Sequence, residues 1–456
     1  MAYMSFNPWL QKLEGTFREM SGNELSLVLD KAWEAFREWR GVSHDTRFGM
    51  LQELGKSLLE RRQEMAVLMA SEMGKPVTQG LAEIDKCALL CSWYAKNGPQ
   101  LLKPERRDSS AGESYVFYEP QGIILGVMPW NFPFWQVFRF IVPALAGGNA
   151  TLLKHASNVP RCALAIEEIV IDSGYPAGIF RTIFPSHKQV STLIADRRVR
   201  GISLTGSNTA GKRIASAAGG HLKKMVLELG GSDPFIVFPD APVEKAVEAA
   251  IFSRFQNGGQ SCIAAKRIII HNDIYDEFRK KFLVAATALR TGDPLDPQTE
   301  VGPMVSVAAT EELERQLNET IRAGARLLCG GRAGEQRPAL FIPAVAEAVP
   351  LSSPLACEET FGPVVPLFRF TTPGEAVKMA NDTPFGLGAA IWTADARLAM
   401  DMAHEIDTGT VAINGFVKSE PGLPFGGVKE SGYGRELALE GLREFLNIKT
   451  ISVFNP

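Results

Sequence analysis

Residues 257–262, "NGGQSC", place a cysteine directly before the apolar run "IAAKRIII". Glycines relieve the backbone where a helix turns sharply into a strand, and small neighbours leave the thiol open to a ligand. The simpler alternative is a passive cysteine in a glycine-rich turn, because free cysteines are usually small buried hydrophobes. Cys262 is therefore a candidate nucleophile if other residues can remove its proton or activate water.

Two other segments contain suitable partners for this thiol. Glu228 lies between two leucines in "KKMVLELGG", where desolvation would raise its pKa toward the working range of a general base. Asn131, in "MPWNFPFWQ", lies at the predicted end of a strand, and its amide could hold an oxyanion together with the backbone N–H of Cys262. Each also has an ordinary alternative, a solvated strand-end carboxylate for Glu228 and a plain turn residue for Asn131.

Composition narrows the class of protein. The 456 residues suffice for two or three domains with buried cores, and 45% hydrophobic and 22% charged residues are typical of a folded chain. A net charge of −3 leaves no basic field for nucleic acid. The N-terminus lacks a basic start before an apolar run, and no segment approaches the ~18 apolar residues of a membrane span, so we expect a cytoplasmic protein without a membrane partner. The six cysteines form no CxxC pair and the six histidines never take ligand spacing, so we expect free thiols and no metal site.

The order of hydrophobic patterns predicts an α/β fold. Helical patterns dominate the first hundred residues, including one continuous pattern over residues 46–74. From "GIILGVMPW" onward, short apolar runs alternate with helical stretches, which is typical of a parallel sheet that binds ligands at the carboxyl ends of its strands. A second alternating region follows Gly231, with strands in "DPFIVF" and "AKRIIIH" and a helix from Pro242 to about Phe255 that Asp240 is placed to cap.

Seven segments, taken in their order and spacing, resemble the aldehyde dehydrogenase superfamily: "MPWNFP", "LLKHAS", "LTGSNTAG", "LELGGSDPFIV", "QNGGQSC", "EETFGPV" and "PFGGVKESGYGRE". The resemblance covers nearly the whole chain. The chain looks most similar to the short bacterial NAD(P)-dependent succinate-semialdehyde dehydrogenases. That likeness is clearest in "SWYAKNGPQLLKPE" and in Ser232-Asp233, where many relatives have lysine and serine.

The resemblance implies an aldehyde dehydrogenase-like α/β fold in three parts. A Rossmann-type parallel-sheet domain for the dinucleotide would comprise residues 1–100 and 121–230, and an α/β catalytic domain would comprise residues 231–425. Residues 101–120 and 440–456 would form a small oligomerisation sheet. The tail "IKTISVF" alternates like an edge strand, and in the family such a tail completes the sheet of a neighbouring subunit. By resemblance we expect a homodimer or homotetramer.

The resemblance also implies catalytic roles. Cys262 would attack an aldehyde to give a thiohemiacetal, whose oxyanion Asn131 and the Cys262 backbone would hold. Hydride would pass to a nicotinamide, and Glu228 would activate the water that hydrolyses the resulting thioester. We therefore expect NAD(P)-dependent oxidation of an aldehyde, with succinate semialdehyde as the expected substrate. The alternatives are a broad-specificity or CoA-acylating aldehyde dehydrogenase and a non-catalytic structural or binding member, and Glu228 favours water over CoA because acylating relatives generally lack a carboxylate there.

The cofactor residues are a separate set. The segment "LTGSNTAG" is not a GxGxxG fingerprint, but Gly206 and Ser207 follow an apolar run and precede a helix, where backbone N–H groups could face a pyrophosphate. By resemblance Ser207 would contact that pyrophosphate and Glu359 would hold the nicotinamide ribose. Phe361 would lie beside the ribose, and Trp130 would line the cleft.

The choice between NAD and NADP depends on two further residues. By resemblance Lys154 would bond the adenine ribose. Three residues on, members restricted to NAD commonly have glutamate, whose charge repels a 2′-phosphate, whereas this chain has Ser157. Neutral Ser157 beside Lys154 tolerates that phosphate, so we expect NADP to be accepted and NAD also to be possible.

One helix face is the expected substrate surface. Phe132, Trp135 or Gln136, and Arg139 share a face of the helix predicted after Pro133. A guanidinium aimed into the aldehyde pocket would pair with the distal carboxylate of a semialdehyde. A surface ion pair is an equal alternative for Arg139.

The remaining substrate contacts come from two other segments. Longer succinate-semialdehyde dehydrogenases often carry a second arginine six residues before the nucleophile, where this chain has Gln256. Lys418 or Ser419 could supply a substitute contact, and by resemblance Phe425 would be the aromatic wall along the aldehyde chain. The expected partner is a small-molecule aldehyde.

Overall fold

The N-terminal part of the protein is mainly helical. A computed structural model describes residues 3–454, so residues 1–2 and 455–456, the outer ends of the predicted dinucleotide-binding domain and oligomerisation tail, lie outside the described residues. The helical pattern over residues 46–74 is divided at Arg61 (φ −99°, ψ 12°), and its second half ends at Gly74, whose φ of 78° is left-handed. The elements up to residue 120 are β1 Tyr3–Asn7, β2 Lys12–Phe17, α1 Gly22–Trp39, α2 His44–Glu60, α3 Arg62–Met73, α4 Val77–Leu101, β3 Glu105–Arg106 and β4 Glu113–Pro120.

The first parallel sheet follows from the alternating pattern after residue 120. Its elements are β5 Ile123–Met128, α5 Trp135–Ala146, β6 Ala150–His155, α6 Pro160–Asp172, β7 Phe180–Thr182, α7 His187–Ala195, β8 Val199–Thr205, α8 Asn208–Gly220 and β9 Lys224–Glu228. The strands lie in the order β9-β8-β5-β6-β7, and all four pairs are parallel. Because helices cover both faces, the strands are nearly continuous apolar runs. Their carboxyl ends bring Asn131, Lys154, Gly206 and Glu228 to one edge of the sheet.

The second sheet belongs to the other half of the chain. Its region contains β10 Asp233–Val237, α9 Val243–Phe255, β11 Ala265–His271, α10 Tyr275–Ala288, α11 Val307–Arg322, β12 Arg326–Cys329, β13 Ala333–Gly334, β14 Arg337–Phe341, β15 Ala344–Glu347, α12 Pro354–Cys357, β16 Val364–Phe370, α13 Pro373–Asn381, β17 Phe385–Gly386, β18 Gly388–Trp392, α14 Ala396–Glu405 and β19 Thr410–Ile413. The order is β12-β15-β16-β11-β10-β18-β19, with β12 alone antiparallel to its neighbour. Phe235 and Val237 pack into one core and Ile236 into the other, since successive side chains of a strand point to opposite faces.

The prediction that Asp240 caps α9 is wrong. Its N-cap residue is Pro242, and no side chain caps the helix. A turn closed by the Ala241 N–H donating to the Phe238 carbonyl oxygen at 3.1 Å separates Asp240 from the helix. The Asp240 carboxylate instead accepts hydrogen bonds from the backbone N–H groups of Ala394 and Asp395, at 2.9 and 3.1 Å, just before α14.

The C-terminal segment returns to the first half of the molecule. It contains β20 Val428–Lys429, β21 Gly432–Tyr433, α15 Ala438–Glu444 and β22 Leu446–Val453. Strand β21 pairs with β9, so the tail joins the first sheet beside Glu228. Strand β22 pairs along its whole length with β4, and β3 lies on the other side of β4. Within residues 3–454, the outer side of β22 has no strand partner, and Ile448 is 63% exposed. No helix in the same residues is long and apolar enough to cross a membrane.

Candidate active site

The loop before Cys262 has an unusual backbone. Asn257, Gly258 and Gly259 have φ values of 54°, 62° and 71°, a left-handed run that only glycine adopts freely. A Cβ on Gly259 would lie 2.5 Å from the Gly362 carbonyl oxygen, so that position also needs glycine for space. Asn257 tolerates the strain because its buried amide donates to the Asn131 carbonyl oxygen at 2.8 Å. The glycines that the sequence places before the cysteine thus let the loop pack against the segment that carries Asn131.

The Cys262 thiol lies half-buried at the end of this loop. Burial raises its pKa to about 12, while the positive charges of Lys266 and Arg139 act in the opposite direction. The Lys266 ammonium donates to the Cys262 carbonyl oxygen at 2.8 Å and to Glu359 Oε1 at 3.0 Å. One lysine therefore connects the cysteine to a residue predicted to bind the cofactor. All six cysteines are unpaired.

Asn131 lies beside the cysteine loop. Its Nδ2 donates one hydrogen to the Gln260 carbonyl oxygen at 3.0 Å. An amide nitrogen has two hydrogens, so the second remains free for a ligand in the cavity that Asn131 and Cys262 line together.

Glu228 ends strand β9 in an apolar setting and is 1% exposed. Burial, and then the negative charge of Glu436, raise its pKa well above the usual range, against the opposing charges of Arg139 and Arg435. Within residues 3–454, no other side chain hydrogen-bonds to its carboxylate oxygens, and the backbone N–H of Gly427 acts to lower its pKa. This carboxyl group is therefore protonated more readily than a surface glutamate.

Arg139 lies on α5 in a buried ion pair. Its Nε is 2.8 Å from Glu436 Oε2, and the two side chains are 3% and 4% exposed. Its guanidinium also packs 4.8 Å from the ring centroid of Phe425. The ion pair considered from the sequence is present, but it lies in the interior rather than at the surface.

Ser419 and Trp135, two other predicted substrate residues, are in direct contact. The buried Ser419 hydroxyl accepts from Trp135 Nε1 at 3.0 Å and from Lys86 Nζ at 3.0 Å. Lys418 is exposed and pairs with Glu420 at 2.5 Å. Of the two candidates from this segment, Ser419 is the one that faces Trp135.

Phe132 and the start of α5 are held by a buried pair of charges. Lys75 forms an ion pair with Glu83, and its ammonium lies 3.9 Å from the Phe132 ring centroid. Glu83 Oε1 accepts from the backbone N–H groups of Phe134 and Trp135, both at 2.9 Å, which satisfies two free donors at a helix N-terminus. The helix that carries Trp135 and Arg139 is thereby fixed in position.

A cavity of about 220 Å³ brings many of the predicted residues together. Its walls come from both sheets and from the cysteine loop: Pro129, Trp130, Asn131, Gln136, Thr205, Gly206, Ser207, Leu229, Gly230, Cys262, Glu359 and Phe361. Trp130 and Phe361 meet edge to face at 5.8 Å. Ser207 caps α8 by accepting from the Ala210 N–H at 3.3 Å, so the helix N-terminus lies at this cavity.

Lys154 and Ser157 lie outside the residues that line this cavity. Lys154 is half-buried, with its ammonium 5.9 Å from the Tyr3 ring centroid, and burial lowers its pKa. Ser157 is exposed, and its carbonyl oxygen accepts from the Met4 N–H at 2.9 Å. The N-terminal hairpin therefore covers the end of β6.

The cavity has features that fit a dinucleotide. Thr205 Oγ1 and Gln136 Oε1 are buried without a hydrogen-bond partner, and both residues line the cavity. A Cβ on Gly230 would lie 2.6 Å from Glu359 Oε2. Glycine at this position therefore leaves space beside the Glu359 carboxylate, which a ribose hydroxyl could use. Free polar atoms, a helix N-terminus and a carboxylate are the groups that pyrophosphate and ribose need. The described residues contain no cluster of three or more His, Cys, Asp or Glu side chains that could hold a metal ion.

The sequence analysis missed three charged residues around this site. Lys266 lies in β11, whose other positions are almost all apolar and buried, and a lone lysine in such a run is a usable signal. Glu436 is in a segment that carries the family resemblance, but its partner Arg139 is distant in sequence. Lys86 lies three residues after Glu83 on α4, a spacing that suggests an ordinary surface pair instead of a place beside Ser419.

Comparison with known proteins identifies the family of this chain. The model of the aldehyde dehydrogenase family matches residues 2–451. The chain is 46% identical over 451 residues to a probable succinate-semialdehyde dehydrogenase (NADP(+)) of Synechocystis sp., covering 99% of each chain. It is 43% identical over 454 residues to succinate-semialdehyde dehydrogenase (NADP(+)) 1 of Mycobacterium tuberculosis, again covering 99% of each. The crystal structure of succinic semialdehyde dehydrogenase from Streptococcus pyogenes, in complex with NADP+, has a TM-score of 0.97 and 36% identity, with all of both chains covered.

The chain belongs to the aldehyde dehydrogenase family. This confirms the predicted family, the α/β fold class and the prediction of an aldehyde-oxidising enzyme. The division into domains at residues 100, 120, 230 and 425, and the role of each site residue, remain predictions.

Proposed function

We propose that this chain oxidises succinate semialdehyde to succinate with NADP, or less readily NAD, as the electron acceptor. The observation that carries the proposal is the single cavity in which Cys262 and Asn131 lie together with Gly206, Ser207 and Glu359. The relatives named above as succinate-semialdehyde dehydrogenases support the same substrate and cofactor.

Cys262 is the proposed nucleophile. Its thiol loses a proton to solvent water, its sulfur forms a bond to the carbonyl carbon, and the carbonyl π electrons move to oxygen. The free hydrogen of Asn131 Nδ2 and the backbone N–H of Cys262 donate to that oxyanion. Lys266 and Arg139 favour the thiolate, which is the competent form, against the effect of burial. A bound nicotinamide dinucleotide would supply the acceptor for the hydride that leaves the thiohemiacetal carbon as the oxyanion electrons re-form the C=O bond of a thioester.

Glu228 is the proposed base for the second half of the reaction. A water molecule gives a proton to the Glu228 carboxylate while its oxygen attacks the thioester carbon. The C–S bond then breaks and returns Cys262 as a thiolate. The raised pKa of Glu228 makes its carboxylate a stronger base than a surface glutamate, and no other side chain in the described part of the chain hydrogen-bonds to its oxygens.

The cofactor residues divide between the two ends of a dinucleotide. Glu359 would accept hydrogen bonds from the nicotinamide ribose, with Phe361 and Trp130 as apolar walls. Ser207, at the N-cap of α8, would donate its backbone N–H to the pyrophosphate, whereas the Gly206 N–H already donates to the Glu228 carbonyl oxygen at 3.0 Å. Lys154 and the neutral, exposed Ser157 would meet the adenine ribose and its 2′-phosphate.

The acidic end of the substrate would lie against α5 and the segment before β20. Trp135, Ser419 and Phe425 are buried. Phe425 packs against Arg139, whose Nη2 has no hydrogen-bond partner among the described residues. A carboxylate there satisfies a donor that is otherwise buried alone. Phe132, which precedes the same helix, would form a further apolar wall for the substrate.

Initial rates test this function directly. Purified protein is given succinate semialdehyde or butyraldehyde, which has the same carbon count, each with NADP and with NAD, and the reduced cofactor is followed by absorbance. We expect succinate semialdehyde with NADP to give the highest kcat/KM. A lack of reduced cofactor in all four combinations would contradict the enzyme class. Equal values for the two aldehydes would leave a broad-specificity aldehyde dehydrogenase. A CoA thioester formed in a parallel reaction with added CoA would identify an acylating enzyme.

The assembly and location are also proposals. Ile448, Ile451 and Val453 are exposed along β22, and Phe454 follows at 66% exposure, which is an edge that a second copy could cover. We therefore assign a homodimer or homotetramer, to be checked by light scattering on wild type and on Ile448→Lys, which should dissociate an assembly built on this edge. A cytoplasmic location suits an enzyme whose nucleophile and five other cysteines must stay reduced.

A further inference from the structure

Lys86 is a partly buried cation that the proposed reaction does not use. It lies on α4, and its ammonium has two neighbours: the Ser419 hydroxyl at 3.0 Å and the indole of Trp135, 4.2 Å from the ring centroid. Among the described residues it forms no ion pair. A partly buried lysine without a counter-ion is unusual, because no opposite charge offsets the free-energy cost of removing its ammonium from water.

The groups around Lys86 have competing effects on its charge. Burial lowers its pKa to about 8, and the positive charge of Arg139 acts in the same direction. Cys87, Glu83 and Glu420 favour the charged form by smaller amounts. The ammonium is thus still mostly charged at neutral pH, and an added negative charge would stabilise it.

The two nearby carboxylates are already engaged elsewhere. Glu83 forms a buried ion pair with Lys75 and accepts two backbone N–H groups at the start of α5. Glu420 pairs with the exposed Lys418 at 2.5 Å. Neither is free to become the counter-ion of Lys86.

Unlike Lys86, Arg139 has a counter-ion. Its charge is offset by Glu436 at 2.8 Å, so the two together bring little net charge to the substrate end of the site. Lys86 and Trp135 both donate to the Ser419 hydroxyl, which places the lysine beside two of the predicted substrate residues. The uncompensated positive charge at this end of the site is therefore the Lys86 ammonium.

We propose that Lys86 determines specificity for acidic aldehydes by pairing, beside Ser419, with the carboxylate distal from the reacting carbonyl. This inference rests on the proposed function and adds a second cation to Arg139. The carboxylate accepts hydrogen bonds from the Lys86 ammonium and the Ser419 hydroxyl. An aldehyde without that carboxylate leaves Lys86 unpaired and gains nothing from it.

The test compares Lys86→Met with Lys96→Met, which removes an exposed lysine from the same helix. For both variants and wild type, KM and kcat/KM are measured with succinate semialdehyde and with butyraldehyde at saturating NADP. Loss of a charge-assisted hydrogen bond should raise the KM for the semialdehyde about 10- to 100-fold in Lys86→Met, with less than about a threefold change for butyraldehyde. Lys96→Met should match wild type with both aldehydes.

A pH series on wild type gives an independent test that needs no folded variant. As the pH rises through about 8, Lys86 loses its proton, so the KM for succinate semialdehyde should increase while that for butyraldehyde stays flat. In Lys86→Arg, which remains charged, that increase should disappear.

The outcomes separate the two proposals. If wild type prefers succinate semialdehyde and Lys86→Met keeps the full preference, or if the semialdehyde KM does not change across pH 8, the role of Lys86 is refuted and the proposed function stands. If wild type oxidises both aldehydes equally well, the proposed substrate is wrong whatever Lys86→Met does. Equal losses for both aldehydes in Lys86→Met would assign Lys86 a structural role and also overturn the inference.

Discussion

Gly231→Ala should reduce activity by moving the catalytic cysteine. Gly231 follows strand β9 and packs against the loop that holds the nucleophile. A Cβ at this position would lie 2.5 Å from the Cys262 carbonyl oxygen, about 0.9 Å inside the 3.4 Å at which ordinary contact begins. The φ of Gly231 is not in the left-handed region, so the added methyl group acts through this contact and not through backbone strain.

The size of the effect follows from that overlap. The contacting atom is backbone, which cannot rotate away as the end of a side chain can. The same carbonyl oxygen accepts a 2.8 Å hydrogen bond from Lys266, so its displacement also disturbs the cation that favours the thiolate. A misplacement of about 1 Å in a catalytic group can cost about 100-fold, and we expect a fall of that order in kcat/KM.

The assay is kcat/KM with succinate semialdehyde, together with the rate at which iodoacetamide alkylates Cys262, identified by peptide mass spectrometry. Gly219→Ala is the matched control, since a Cβ there meets no atom within 4 Å and the residue lies in α8. Thermal unfolding checks that both variants are folded. A folded Gly231→Ala protein with wild-type kcat/KM and alkylation rate would refute the idea that this glycine exists to let Cys262 approach.

Three further predictions concern the base, the cofactor and the fold. Glu228→Gln should release reduced cofactor in one burst per active site and then stall, because the thioester waits for water, with kcat reduced about 10²- to 10⁴-fold in rapid-mixing and steady-state assays. Ser157→Glu, an exposed change, should raise the KM for NADP about tenfold or more while that for NAD changes little, because the new charge repels a 2′-phosphate; equal changes for both would place the phosphate elsewhere. Burial lowers the pKa of His155 from 6.5 to about 4, so the unfolded chain binds the extra proton between those values and the free energy of unfolding should fall by about 3 kcal/mol as the pH drops through that range. Denaturant titrations at pH 7 and pH 5 check this, because about 2 kcal/mol of the fall is expected by pH 5, and His155→Gln should lose part of the difference.

The sheets could be predicted from the sequence because a strand that is buried on both faces consists almost entirely of apolar residues. Strand β11 was expected at residues 265–271 and has those bounds. The rule that ligands bind at the carboxyl ends of parallel strands also brings Asn131 and Glu228 to one edge before any side-chain contact is known. The hydrophobic pattern did not reveal the break between α2 and α3 at Arg61, because the same apolar periodicity continues from one helix into the next.

The charge pairing around the site could not be predicted in the same way. Arg139 meets Glu436 only because the C-terminal strand β21 returns to pair with β9, and that pairing joins segments that share no local pattern. Asp240 was misplaced for a similar reason, since its acceptor capacity is used by N–H groups from the start of another helix. A motif shows which charged residues are present. The tertiary fold decides which residue each of them pairs with.

Some buried polar atoms at the proposed site have no hydrogen-bond partner. Buried polar atoms without a hydrogen-bond partner occur in several parts of the described residues, for example Thr151 Oγ1 and Tyr175 Oη. Three of them belong to residues at or beside the proposed site, namely Thr205 Oγ1, Gln136 Oε1 and Arg139 Nη2. An unpaired buried polar atom costs about 1–3 kcal/mol of stability. A dinucleotide or an aldehyde that supplied partners to these three atoms would recover part of that free energy on binding.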